Sequence, residues 1–116
     1  MRLCGFVARV TILIATWAAP ATSFTGVELS DLCFRKGTDG QLACTSYVRG
    51  FADGVTFEAL MVGGDANYCP PQSLPVRDMR VIVEKYLKDH PDQLGKEAGA
   101  LVGFALHHAF PCKRSN

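Results

Sequence analysis

The stretch that decides the fold is residues 41–61, QLACTSYVRGFADGVTFEALM, in which Cys44, Tyr47, Val48, Phe51, Val55 and Ala59 recur at steps of three and four. That spacing gathers six mostly apolar side chains on one face of a helix and predicts a long helix ending near Met61. Upstream, Thr25-Gly26-Val27-Glu28 has the form of a capping box: the Thr25 hydroxyl can accept from the amide three residues on, and Glu28 can reach back to the cap residue. A first short helix carrying Val27, Leu29, Leu32 and Cys33 follows from it, and Arg35 to Gly40, with two glycines and no apolar residue, reads as the turn that ends it. Downstream, Gly63, Gly64, Asp65, Asn67, Pro70, Pro71 and Ser73 crowd one segment. These residues favour positive φ, fixed φ or side-chain turns, and predict a loop. Pro75 suits the first turn of a third helix, because the opening amides of a helix lack intrahelical partners. Val76, Met79, Ile82, Val83 and Tyr86 carry that helix to about His90. Pro91 opens a fourth helical start, with Leu94, Ala98, Leu101, Val102, Ala105, Ala109 and Phe110 on one face until Pro111. No segment sustains a period of two, so the expectation is a small all-α domain of four main helices.

Composition narrows the class. The 116 residues are 48% apolar and 20% charged, with 12 basic against 11 acidic side chains, a balance without the basic excess that a nucleic-acid surface needs. Arg2 and Arg9 precede or flank the short apolar run Val10 to Ala19, and Ala19-Pro20-Ala21 fits a small-x-small cleavage site. Residues 1–21 therefore read as a secretory signal peptide, and residues 22–116 as the mature domain. The run is about half the length that a bilayer-spanning helix needs, so no membrane anchor is expected after cleavage. Cleavage also removes Cys4, leaving Cys33, Cys44, Cys69 and Cys112.

Four cysteines in an exported domain with a marginal core predict two bridges and no free thiol. Three pairings are possible. If the third and fourth helices form an antiparallel hairpin, Cys69 and Cys112 meet at one end of it. Cys33 and Cys44 flank the turn between the first two helices. Helical geometry thus ranks Cys33 with Cys44 and Cys69 with Cys112 first. There is no Cys-x-x-Cys pair and no spacing typical of zinc, so neither a metal nor a cofactor is expected.

The candidate reactive groups do not assemble in the sequence. His107 and His108 are adjacent, hence about 100° apart on a helix rather than on one face as an i, i+4 ligand pair would be. There is no phosphate cradle, nucleophile elbow or His-x-x-x-His pair. Asp53, between two apolar turns, has two readings: a partly buried carboxylate bonded to a neighbouring helix or to Tyr47, or a member of a solvated face. Ser46, Gly50 and Gly54 on the second helix, and Gly95, Gly99 and Gly103 on the fourth, form small-residue rows. Interior glycine costs about 1 kcal/mol relative to alanine, so the rows imply a compensating close approach. Either the two helices pack tightly together, or the rows form a dimer seam. The long loop offers Asp65, Asn67, Tyr68 and Gln72 as candidates for contacting a protein partner, with Tyr68 as the aromatic anchor. Alternatively Tyr68 packs over the helix ends and the loop is a connector.

Taken in order, Cys44-x-x-Tyr47-x-x-Gly50-x-x-Asp53, Cys69-x-Pro71, Lys85-Tyr86-Leu87-x-Asp89-His90-Pro91, Ala105-Leu106 and Ala109-Phe110-Pro111-Cys112 resemble the Rap/Tai family of type VI secretion immunity proteins. The resemblance covers nearly all of the mature chain. Its matched residues, Tyr47, Gly50, Asp53, Pro71, Tyr86, His90, Pro91, Phe110 and Pro111 among them, have the character of a scaffold. Pro75 stands where the family usually has a capping Ser or Thr. The resemblance implies a periplasmic, non-enzymatic helical protein that binds and blocks a peptidoglycan amidase effector, and, together with the small-residue rows, a homodimer. Two other readings of an exported helical domain of this size are an acid-stress chaperone and an interaction module of unknown role.

Overall fold

The computed structural model describes residues 22–64 and 66–113. The proposed signal peptide with Cys4, and the loop candidate Asp65, lie outside the described residues. Among the described residues four helices run in the order α1 (Gly26–Phe34), α2 (Thr38–Val62), α3 (Val76–Asp89) and α4 (Ala98–Ala109), with a 3-10 turn at Pro91–Gln93. There is no β-strand among the described residues, only an isolated antiparallel bridge between Thr25 and Glu97.

The capping box forms as the sequence predicts. The Glu28 amide donates to Thr25 Oγ1 at 3.4 Å, and the Thr25 amide donates to Glu28 Oε2 at 2.8 Å. The Thr25 amide first, and then the Thr25 hydroxyl, which donates to Glu28 Oε2 at 2.9 Å, favour the ionised carboxylate and hold Glu28 below the usual carboxylate range.

Two boundaries differ from the sequence reading. Helix α2 begins at Thr38 rather than Gln41, because Gly37, at φ 103°, supplies the left-handed corner that reverses the chain, and Thr38-Asp39-Gly40 already forms the first turn. Gly40 is buried there; a Cβ on it would lie 2.7 Å from the Arg35 carbonyl oxygen, so the corner closes only around glycine. Helix α4 begins at Ala98 rather than near Pro91. The chain from Leu94 to Glu97 runs beside the entry to α1 instead, and its backbone is used there: Gly26 N donates to Lys96 O at 2.8 Å, Val27 N to Leu94 O at 2.9 Å, and Ala98 N to Phe24 O at 2.8 Å. Periodicity cannot show that competing demand on the backbone. Helix α3 starts with Pro75 as its N-cap, without a side-chain cap, and the amides of Asp78 and Met79 donate to the Pro75 carbonyl.

One core joins the four helices. Leu29 of α1, Cys44 and Val48 of α2, Val83 and Leu87 of α3, and Ala98, Leu101, Val102, Ala105 and Leu106 of α4 are all buried. Disulfides join Cys33 to Cys44 and Cys69 to Cys112, the pairing that helical geometry ranks first. The first bridge staples α1 to the opening of α2 inside the core, with Cys33 and Cys44 4% and 0% exposed. The second ties the loop after α2 to the chain beyond α4.

Candidate functional site

Helix α2 has 25 residues, α3 14 and α4 12, so α2 is about 37 Å long and its neighbours about 20 Å. Its far half therefore outruns the core. Phe57, Leu60, Met61 and Val62 are large, apolar and 64% to 78% exposed. Where this half leaves α4, a groove of about 420 Å³ opens. Phe51 and Val55 of α2 form one wall, and Gly99, Ala100, Gly103, Phe104 and His107 of α4 the other. Asn67 and Tyr68 close the end. A smaller hollow of about 180 Å³, lined by Val55, Ala59, Val62, Ala66 and Asn67 among others, continues it along α2.

The absence of side chains on α4 gives the groove its depth. A Cβ at Gly99 would stand 3.7 Å from the Phe51 ring, and one at Gly103 would stand 3.3 Å from it. Half of the small-residue expectation holds in this sense: Gly99 and Gly103 accept the Phe51 ring of α2. The other half does not. Gly50 and Gly54 have no atom within 4 Å of where a Cβ would be, and Gly95 lies outside α4 in the turn before it. The rows do not meet each other, because α2 faces α4 through Tyr47, Phe51 and Val55 and turns Gly50 outward.

The end wall is fastened to α4 at several points. The Cys69 amide donates to the Phe110 carbonyl at 2.8 Å. The His107 ring donates through Nδ1–H to the Asn67 carbonyl. Cys69 is bridged to Cys112. Between them, Tyr68 is 5% exposed and belongs to the core. Burial, and to a lesser degree the Asp53 carboxylate, push its phenol above the usual range. Tyr68 therefore lines the groove from within the core and is packed over the helix ends, the second of its two sequence readings, instead of protruding as an anchor. Asn67 and Gln72 are exposed.

Asp53 belongs to the solvated face. Its carboxylate is 3.7 Å from Arg49 Nε, both side chains being more than two-thirds exposed, and makes no bond to a neighbouring helix. Tyr47 instead stacks obliquely with Phe24, ring centroids 5.2 Å apart. Its phenol is pushed up by burial first and by Glu97 second. The histidines occupy separate places. His90 stacks on Tyr86 at 4.0 Å and donates through Nδ1–H to the Tyr86 carbonyl at 2.9 Å, a helix-ending contact. His107 clamps Asn67, and His108 is exposed on the other side of α4. Among the described residues no three His, Cys, Asp or Glu side chains stand close enough to hold a metal ion. No helix among them is long and apolar enough to cross a membrane.

These features define a class: a small helical domain stapled by two disulfides, whose built surface is an apolar groove with a tethered polar end. Residues 25–112 match the family of Rap1a immunity proteins, and the chain belongs to that family. It is thus an immunity protein directed against a secreted effector, and not an enzyme. A comparison with curated proteins gives no match. The groove was out of reach of the sequence, which points to the loop from Gly63 to Leu74 as the chief contact with a partner. Its signal was present in Gly99 and Gly103 facing an aromatic of another helix, but their partner is a tertiary fact.

Proposed function

We propose that this chain is a periplasmic immunity protein that binds and inhibits a peptidoglycan amidase delivered by type VI secretion, with the groove between α2 and α4 as its effector-binding face. The observation that carries the reading is the groove itself. It is an open apolar slot of about 420 Å³ whose end is pre-ordered by a disulfide, so a partner's apolar side chain loses water there without the protein paying to order the wall. Asn67 and Tyr68 supply a polar group and an aromatic side chain at the end of the groove, the pattern of an interface that excludes water around a central contact, and Asp65 and Gln72 of the same loop are further proposed contacts. The pairing of Cys33, Cys44, Cys69 and Cys112 in two disulfides and the basic-apolar start of the sequence support an oxidising, exported setting.

The outward face of α2 suits a second copy of the chain. Leu42, Phe57, Leu60 and Met61 are exposed there, and Gly50 leaves room for close approach. The groove and that face lie on different sides of α2, so effector and second copy do not compete.

The test is capture of the effector on the tagged chain, followed by assay of peptidoglycan hydrolysis with the chain added back. Ala100 is exposed on the groove lip, and Ala100→Glu lowers effector affinity by about tenfold or more while the melting temperature stays as in wild type. An effector that hydrolyses peptidoglycan at full rate beside a molar excess of the chain overturns the inhibitory reading. Unchanged affinity in Ala100→Glu moves the interface away from the groove. Light scattering that returns only monomer mass at micromolar concentration removes the second copy.

A further inference from the structure

The two disulfides differ in what a reductant can reach. Cys33 and Cys44 are buried at 4% and 0% exposure, whereas Cys69 is exposed and Cys112 half-buried. Thiol–disulfide exchange requires a thiolate to approach a sulfur directly, so access orders the rates. The accessible bridge is also the one at the groove. It fixes Cys69, the residue after Asn67 and Tyr68, to the chain beyond α4, across a separation of 43 residues. Without it the same wall hangs on the Cys69 to Phe110 hydrogen bond, the His107 to Asn67 bond and the burial of Tyr68.

We infer that the Cys69–Cys112 bridge is a redox clasp on the effector-binding groove: a dithiol reductant opens it selectively, releases the Asn67–Cys69 wall and leaves the Cys33–Cys44 staple and the four-helix core in place. Its regulatory meaning rests on the groove being the effector face. The reductant's thiolate attacks Cys69 Sγ, forming a mixed disulfide and expelling Cys112 as a thiolate that takes up one proton. The reductant's second thiol, losing its proton, then displaces Cys69, which is protonated in turn. Two electrons and two protons pass to the protein, and the reductant leaves as its own disulfide. The reduced chain has an intact core but a groove whose end wall opens locally, since a segment held by a few bonds at the surface unfolds far more readily than the core behind it. Binding competence is in this way coupled to an oxidising compartment, and a chain still reduced before export carries an unfinished groove.

The experiment titrates the oxidised protein with dithiothreitol, quenches with iodoacetamide and maps the labelled cysteines. Hydrogen exchange is followed on the same samples. Cys69 and Cys112 become labelled about tenfold or more ahead of Cys33 and Cys44. In that window the amides of Tyr68 and Cys69 exchange about tenfold faster or more, while those of Leu29 and Val48 keep their protection. Labelling of all four cysteines together, labelling of Cys33 and Cys44 first, or unchanged exchange at Tyr68 and Cys69 after selective opening each overturns the clasp. The Cys69→Ser/Cys112→Ser variant reproduces the fast exchange without reductant, and Cys33→Ser/Cys44→Ser does not; should either fail to fold, the wild-type titration decides alone. Effector capture separates the two readings. Lost capture on selective opening joins clasp to groove, whereas retained capture with fast exchange leaves the clasp standing and refutes the groove as the effector face.

Discussion

The two halves of α2 have opposite fates, and the more apolar one is the less covered: 5 of the 13 residues in 38–50 are apolar against 8 of the 12 in 51–62. From Thr38 to about Gly50 one face of the helix is covered: Cys44 and Val48 are fully buried, the Cys33 bridge crosses to α1, and Tyr47 packs beneath Phe24. From Phe51 to Val62 the same helix continues past its neighbours, and Phe57, Leu60, Met61 and Val62 stand in solvent. A hydrophobic residue stabilises the fold only by what covers it, so the first half holds the molecule together and the second half leaves apolar surface free for something else. The lesson is that helix length relative to the neighbouring helices, not hydrophobicity, separates scaffold from surface here.

The contrast can be broken by substitution. Leu106 is fully buried in the shared core, and Leu106→Ala should cost about 2 to 5 kcal/mol, read as a lowered urea midpoint with unchanged slope. A loss below about 1 kcal/mol would mean that the core is not organised around α4. Gly26→Ala comes next. A Cβ there would overlap the Leu101 side chain and lie 2.8 Å from the Leu94 carbonyl oxygen, so a cost of about 1 to 3 kcal/mol follows from overpacking.

At the entry to α1, Thr25→Ala should cost about 1 kcal/mol and also alter the pH dependence. Glu28 has its folded pKa depressed below the ordinary 4.5. Its contribution is therefore complete above that value and lost as the pH falls through the lower folded value. Urea unfolding at pH 6 and pH 3 should show a smaller acid loss in Thr25→Ala than in wild type. Equal losses would show that the cap does not hold the carboxylate. Last and smallest, at concentrations low enough to keep the chain monomeric, Leu60→Ser or Met61→Ser should shift stability by no more than about 0.5 kcal/mol. A loss above about 2 kcal/mol in either would place that side chain in a covered surface and erase the difference between the halves.

Much of the fold was legible in the chain because local physics writes it there. The step of three and four from Cys44 to Ala59 specifies a helix and its buried face, Thr25 and Glu28 specify a start, and Gly63, Pro70 and Pro71 specify a break. Those constraints act over a few residues, so nothing distant can hide them. The boundaries of α2 and α4 were displaced for the opposite reason: the Gly40 approach to Arg35 and the pairing of Phe24 to Val27 with Leu94 to Ala98 are contacts between segments, and a segment read alone does not show them. Tyr68 makes the point most sharply. In sequence it sits among Asn, Cys and Pro in a polar loop, but the Cys69 bridge and the two backbone anchors fold it inward against α2 and α4.

By itself the sequence determined an all-α chain with four helices, two bridges of ranked pairing, and a resemblance that the family match then carried to an immunity protein. The tertiary structure alone decided where apolar side chains end in water and where they end in the core. That depends on how far one helix runs past the next, and on glycines at 99 and 103 meeting a ring from residue 51. Periodicity specifies which side chains share a face, whereas coverage of that face is a property of the neighbours, and the groove exists because α4 presents glycines at 99 and 103 to Phe51 of α2.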